Sequence, residues 1–397
     1  MGINQHLIGA LLTGMSFLAP PANAQTIPPT ETEKVVLFLP LYLDSIFDEK
    51  QEFKYNKGEF PRFVGGPLEF YQGFEQALDS LKKRKGNIDV IVVDTRANNL
   101  SLPTLLEKDS ISKAKAWLLL GNAVESRQLA ELAKAFQVPL FNINLPNDAG
   151  IQENPYYFMC NTTLKTQCES IYQFLQKNYP LYRILFVRKK GNMEDKILNY
   201  WQQLGEETAG VPITYSLIET SDTITSKELN MGLDTFQKVL LVGASLEERF
   251  ARNLATAATE MKKSGYKIEL MGMSTWDIVR EFNTNRYRNV EITIPTPFHY
   301  PKTDALSKWL QIRFQDQNYG KISDPYVRGY ELAWFLHPYL QSSSPPLSSF
   351  LPGKRKLLFA EIDWQPAMNQ ALGQIDYYEN KKLYFVKRVD GLIRSVR

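Results

Sequence analysis

The chain has 397 residues, 44% hydrophobic and 22% charged, enough for two globular domains of ordinary size. Its 46 basic and 43 acidic residues leave a formal net charge of +3. With no basic stripe interleaved with aromatics, that balance excludes the electrostatic footprint of a nucleic-acid partner.

The first 24 residues contain no Lys, Arg, Asp or Glu, Leu7–Ala19 is mostly apolar, and Ala22-Asn23-Ala24 has the A-x-A form of a signal-peptidase site. Residues 1–24 therefore read as a secretory signal peptide, and the Pro- and Thr-rich residues 25–33 as a linker. No cysteine follows the cleavage site, and no other run reaches the about 18 apolar residues of a membrane span. These features predict a periplasmic or secreted protein without a lipid anchor or membrane span.

Val35–Leu41 reads as a buried strand, followed by the long aromatic segment Tyr42 to Gly66. A helix over Pro67–Lys85 places Phe70, Phe74, Ala77, Leu78 and Leu81 on one face. Strand Ile88–Val93, strand Trp117–Leu120, helix Glu125–Phe136 and strand Leu140–Asn144 follow, the order of a parallel sheet covered on both faces. A second unit is predicted from near Gly150. Its strands are Tyr156–Met159, Arg183–Val187, Ile213–Ile218, Val239–Val242 and Ile268–Met271, and its helices lie near Leu164–Asn178, Glu194–Leu204 and Glu247–Lys263. Later helices around Asp304–Gln317 and Pro325–Leu340 point to a return to the first unit, and Asp390-Gly391 marks a closing hairpin. The expected division is lobe 1 at 34–148 and 274–355, lobe 2 at 149–273, and a C-terminal segment 356–397 at the hinge and lobe 2. The fold class is α/β, two Rossmann-like lobes with parallel central sheets joined by a multi-strand hinge, a geometry suited to closing on a ligand.

An internal repeat supports this division. Residues 118–133 (LLLGNAVESRQLAELA) align with 240–255 (LLVGASLEERFARNLA), with identities at Leu118/Leu240, Leu119/Leu241, Gly121/Gly243, Glu125/Glu247, Arg127/Arg249, Leu132/Leu254 and Ala133/Ala255. Each copy is a strand feeding a helix through a tight turn, and in α/β sheets ligands sit at such strand ends.

Several segments resemble the type 1 periplasmic solute-binding proteins, the branched-chain amino-acid-binding class. Phe70-Tyr71-Gln72-Gly73 with Ala77 is similar to that family's first helix, and Gly121 with the helix start near Ser126 to the turn after its third strand. Pro139–Asn144, Pro325–Glu331 and Gln374–Arg388 are similar to later elements, so the likeness spans about Lys34 to Val396. The wording VVLFLPLYLDSIFD and PLEFYQGFEQALDSLKK is also similar to secreted Bacteroidetes members. The resemblance implies a binding protein that closes on a small polar ligand, an amino acid or a relative of one, and delivers it to an ABC importer. Its alternative is a cell-envelope protein-interaction module, because outer-membrane activators of penicillin-binding proteins use the same fold.

The candidate ligand-binding residues follow from the turns. Asn122, Ala123 and Glu125 form one strand-to-helix turn, and Ser245 and Glu247 the other. Both turns fit a polar cap with Glu three residues on, Asn122 with Glu125 and Ser245 with Glu248. Glu247 is not needed for capping and is the expected partner of a ligand ammonium. Asn144 and Asn147 end the next strand, and Asn192 lies at a matching strand end in the second lobe. Amino-acid binders of the resembled family carry Ser- and Thr-rich turns here, so Asn122, Ala123 and Val124 leave the ligand class open. Cys160 and Cys168 are either a disulfide closing a small loop or two free thiols, which geometry decides. Beyond the signal peptide the histidines are His299 and His337, with no metal-ligand spacing, and P-loop, GxGxxG and GxSxG motifs are missing. No metal, cofactor or catalytic residue is predicted.

Overall fold

The structure, a computed structural model, describes residues 33–55, 61–82, 88–221, 223–230, 232–316, 321–340 and 351–396. The predicted signal peptide, nearly all of the linker, part of the 42–66 segment and the end of the first predicted helix at Lys83–Lys85 lie outside these residues.

The first sheet contains β1 (Glu33–Leu39), β2 (Ile88–Asp94), β3 (Ala116–Leu119), β4 (Leu140–Asn142) and β5 (Tyr157–Met159), parallel in the order β2-β1-β3-β4-β5. Their apolar runs are continuous because both faces are covered. In β1, Val35, Leu37 and Leu39 enter one core and Val36 and Phe38 the other. The first core lies under α2 (Arg62–Lys82), α10 (Ala305–Gln315) and α11 (Asp324–Leu340). The second lies under α3 (Leu102–Leu106), α4 (Asp109–Ser112) and α5 (Ala123–Phe136). The short α1 (Leu43–Ile46) follows β1.

The second sheet repeats the order with β6 (Arg183–Lys189), β7 (Tyr215–Thr220), β8 (Lys238–Gly243), β9 (Lys267–Met271) and β10 (Glu291–Thr296), parallel as β7-β6-β8-β9-β10. Helices α6 (Leu164–Asn178), α7 (Asn192–Glu207) and α9 (Glu248–Lys263) cover it, and the short α8 (Ser226–Leu229) precedes β8. The internal repeat falls on β3–α5 and β8–α9, the same position in both lobes.

Two boundaries differ from expectation. β5 pairs with β4 in the first sheet instead of opening the second lobe, and β10 pairs with β9 in the second sheet instead of returning to the first. Each is the fifth parallel strand of its lobe, so each lobe closes its own 2-1-3-4-5 order before the chain crosses. The C-terminal segment is shared. β11 (Gly353–Lys356), β12 (Glu361–Asn369) and β13 (Gln374–Asn380) extend the first sheet, with β13 parallel to β5. β14 (Tyr384–Val389) and β15 (Leu392–Val396) form the predicted hairpin on the second, with left-handed Asp390 and Gly391 at the turn. The chain therefore crosses between lobes at residues 160–163, 297–304 and 381–383.

The first crossing decides the cysteines. Cys160 belongs to the core of the first lobe and Cys168 to that of the second, and both are free thiols, so the disulfide expectation is replaced by its alternative. Burial raises both thiol pKa values, that of Cys168 to about 12.

Helices α2 and α11 cross at backbone contact. A Cβ on Gly73 would lie 1.9 Å from the carbonyl oxygen of Tyr326, and one on Gly329 would lie 2.0 Å from that of Phe70. Backbone cannot yield as a side-chain tip can, so glycine is required here for space. Further along α11, Glu331 is 4% exposed and accepts the amides of Phe359 (2.6 Å) and Ala360 (3.1 Å). Burial pushes its pKa up to about 7 against the opposing effect of those hydrogen bonds.

Three outcomes follow. Gly329→Ala destabilises the protein by about 3 kcal/mol in urea unfolding, through overpacking at the crossing. The native protein is inert to an aromatic disulfide reagent at pH 8, and unfolding releases both thiols. Glu331 has a folded pKa above its unfolded value, so its contribution is complete below pH 4.5 and is lost as pH rises through about 7. Unfolding of Glu331→Gln should therefore lose less stability than wild type between pH 5 and 8, by up to about 3 kcal/mol.

Candidate functional site

In a 2-1-3-4-5 sheet the connections leave β1 and β3 in opposite directions, which opens a crevice at their carboxyl ends. In the first lobe that crevice is a cavity of 350 Å³. Pro40 and Tyr42 line it after β1, Arg96 after β2, Leu120, Gly121 and Asn122 after β3, and Ile143 and Asn144 after β4. Helix α2 adds Phe63, Gly66, Pro67 and Phe70, and α11 adds Pro325 and Arg328.

Asp94, the last residue of β2, organises the rim. Its carboxylate accepts the amides of Leu41 (2.9 Å), Tyr42 (3.1 Å), Leu43 (2.8 Å) and Arg96 (2.9 Å). This holds Tyr42 in the left-handed region (φ 55°), an unfavourable conformation for an aromatic residue and one that clusters at functional sites. Tyr42 packs edge-on against Phe63 and lies under the Arg96 guanidinium at 5.7 Å. Arg96 reaches Glu125 at 3.3 Å.

Arg328 has different surroundings. Its guanidinium carbon lies 3.5 Å from the ring centroid of Phe298, in the second crossing. Its Nε is enclosed without a hydrogen-bond partner, and the side chain has no ion pair within 4.0 Å among the described residues. Burial lowers its pKa to about 10, so it stays cationic at neutral pH.

The structure brings Asn122 and Asn144 together at this cavity. Asn122 caps α5 by accepting the amides of Val124 (2.9 Å) and Glu125 (3.0 Å), and Glu125 accepts the Asn122 amide (2.7 Å), completing the predicted capping box. Asn144 accepts the Gly121 amide (2.9 Å) and donates to its carbonyl (3.2 Å). Ala123 is the first residue of α5, and Asn147 closes a local turn by accepting the Ala149 amide (3.0 Å).

The second-lobe candidates are engaged differently. Ser245 does not cap α9. It is buried and donates to Glu194 at 2.6 Å, and the helix begins after Glu247. The position aligned with Asn122 is Ala244, which has no capping side chain, so the helix start slides along the chain. Glu247 is ion-paired with Lys189 and Glu248 with Arg252. Asn192 opens α7 and is exposed. The crevice of this lobe is filled by its own Trp276, whose ring lies where Cβ atoms of Gly243 and Gly272 would be, at 2.2 and 2.1 Å. The Trp276 indole donates to the Ser245 carbonyl at 2.8 Å.

The hinge is tied across its crossings. Buried Glu379 accepts the Thr163 amide (2.7 Å) and pairs with Lys381 (2.7 Å), which also donates to Thr166 (2.7 Å). A second cavity, of 340 Å³, lies against the hinge between Asp277 and Arg388 on one side and Phe298, His299 and Asp324 on the other. Arg388 is 5% exposed and pairs with Asp277. Burial lowers the pKa of His299.

Sequence reasoning missed Tyr42, Asp94, Arg96, Phe298 and Arg328. For Arg328 a signal was available, since it stands between Val327 and Gly329 within the otherwise apolar PYVRGY run. Among the described residues no group of three or more His, Cys, Asp or Glu side chains is placed to hold a metal ion, and no helix is long and apolar enough to cross a membrane.

No family model matches the sequence, and no curated protein matches it. Solved structures do match. An ABC-type branched-chain amino acid transporter from Rhodopseudomonas palustris aligns with a TM-score of 0.62 at 12% identity, over 92% of this chain and 96% of that one. An ABC transporter substrate-binding protein from Desulfitobacterium hafniense in complex with Leu gives 0.56 at 12%, over 92% and 99%. LpoA from Haemophilus influenzae gives 0.57 at 14%, covering 94% of this chain and 60% of LpoA. Together with the two 2-1-3-4-5 sheets and the hinge of three crossings, these likenesses show that the chain has the type 1 periplasmic binding protein fold.

Proposed function

We propose that the protein is a solute-binding protein that closes two lobes on a small polar ligand outside the cytoplasm and delivers it to an ABC importer. The observation that carries this reading is the cavity at the switch point of the first lobe, beside a hinge of three crossings. At 350 Å³ it suits a small molecule, and its polar groups are few and convergent among apolar walls. The ligand would bind first to the Asn122–Asn144 side, with Ala123 and Glu125 supporting that turn and Asn147 just beyond it. Closure would then bring over the rim of the second lobe, where Asn192, Ser245 and the Lys189–Glu247 pair stand. The likeness to a substrate-binding protein solved with Leu supports a ligand-binding role, and the reading assigns no catalytic step to the chain.

A second reading, an envelope protein-interaction module, is favoured by one feature. Leu43, Phe47, Phe53 and Phe63 are 39–49% exposed, Phe63 in the cavity wall and the others shortly after β1, apolar surface that a partner protein would cover. The likeness to LpoA is compatible with that use of the fold.

A thermal-shift screen with amino acids, organic acids, sugars, nucleosides and cell-wall fragments separates the two readings. Solute binding predicts saturable stabilisation by one chemical class, about 2.7 kcal/mol at 100 times its dissociation constant. Asn144→Ala should weaken that ligand about tenfold by freeing the Gly121 turn. A flat screen, with capture of an envelope protein that depends on Phe47 and Phe53, would favour the second reading.

A further inference from the structure

Arg328 lines the cavity without an ion pair among the described residues. A half-buried guanidinium whose enclosed Nε has no protein acceptor costs stability, because no protein group replaces its lost hydration. The Phe298 ring lies 3.5 Å from the guanidinium carbon, a cation–π contact, and the side chain lines the cavity. A planar fork of N–H donors matches an oxyanion in two parallel hydrogen bonds.

We infer that the first-lobe cavity selects a small organic monocarboxylate with an apolar body, its carboxylate held by the Arg328 fork, over a zwitterionic amino acid. The inference rests on the solute-binding reading and names its ligand class. Four further observations lead to it. The walls of the cavity include Phe63, Phe70, Leu120 and Ile143, which suit an apolar body that an inorganic anion lacks. The second charged group at the cavity is another cation, Arg96, and Glu125 is committed to that arginine and to the α5 cap. An α-ammonium would enter beside the Arg328 guanidinium and find no free carboxylate, since Glu125 is paired with Arg96 and Glu247, in the second lobe, with Lys189. Asp324 and Asp277 act on Arg328 only from beyond ion-pair distance, and Asp277 is paired with Arg388.

The test is calorimetric titration of the purified protein with matched probes. These are phenylacetate and 4-methylpentanoate, the primary amide of each, phenylalanine and leucine as the zwitterions, and inorganic phosphate. The carboxylates should bind, with amides and zwitterions at least about tenfold weaker, as expected for loss of a charge-assisted pair. Arg328→Gln should weaken the carboxylates on the order of 10- to 100-fold, and Arg328→Lys, which keeps charge without the fork, by an intermediate factor. The melting temperature of unliganded Arg328→Gln should equal or exceed that of wild type, because an unpaired buried cation has been removed. A lower melting temperature in both variants would make Arg328 structural and overturn the assignment. Amides or amino acids binding as well as the acids, phosphate binding alone, or carboxylate affinity unchanged in Arg328→Gln would overturn it while leaving solute binding intact. If no probe binds, the carboxylate assignment fails, and the broader screen decides separately whether solute binding fails with it.

Discussion

The close crossing of α2 and α11 is the constraint on which the first-lobe cavity depends. Gly73 and Gly329 let two backbones approach to a separation that any Cβ would prevent. On the cavity side of that crossing stand Phe63, Gly66, Pro67 and Phe70 from one helix and Pro325 and Arg328 from the other. Widening the crossing would move two walls of the cavity apart and lift Arg328 from Phe298. A packing requirement in the core thus fixes the position of a charged group in the cavity wall. The link to Phe298 carries that position into the hinge, because Phe298 belongs to the second crossing between lobes.

The lobes share a topology but not a chemistry. The glycine after β3 opens onto a cavity, whereas its counterpart at the end of β8, Gly243, is covered by the Trp276 ring. The second lobe has spent its crevice on its own core and presents a rim of ion pairs, Lys189 with Glu247 and Arg188 with Asp195. On the solute-binding reading, a ligand would enter the first lobe and the second would close over it. The Glu379–Lys381–Thr163 network ties the first and third crossings together.

Much of this was legible in the chain. Strand–helix alternation, the β3–α5 and β8–α9 repeat, the Asn122 capping box and the Asp390-Gly391 hairpin all rest on local signals, periodicity and turn chemistry, which survive folding unchanged. Lobe boundaries were less legible, because which sheet takes β5 or β10 depends on long-range pairing that leaves no local mark. The repeat itself misled in one respect. Aligned Glu125 and Glu247 take different places because Ala244 cannot cap as Asn122 does. The cavity was half legible: Asn122 and Asn144 stand at strand ends, where the topology points. Arg96, Phe298 and Arg328 come from three distant segments and meet only in the fold.

The central claim is that a ligand in the first-lobe cavity closes the second lobe over it. Because Cys160 and Cys168 are buried free thiols, spin labels can be placed selectively at introduced cysteines. Val124→Cys on the first lobe and Met193→Cys on the second use exposed positions at the starts of α5 and α7, on the cleft-facing ends of the two sheets. Pulsed electron–electron distance measurement with and without a saturating ligand reads closure directly. A shorter and narrower distance distribution on saturation is the predicted result. An unchanged distribution with ligand demonstrably bound would contradict the account.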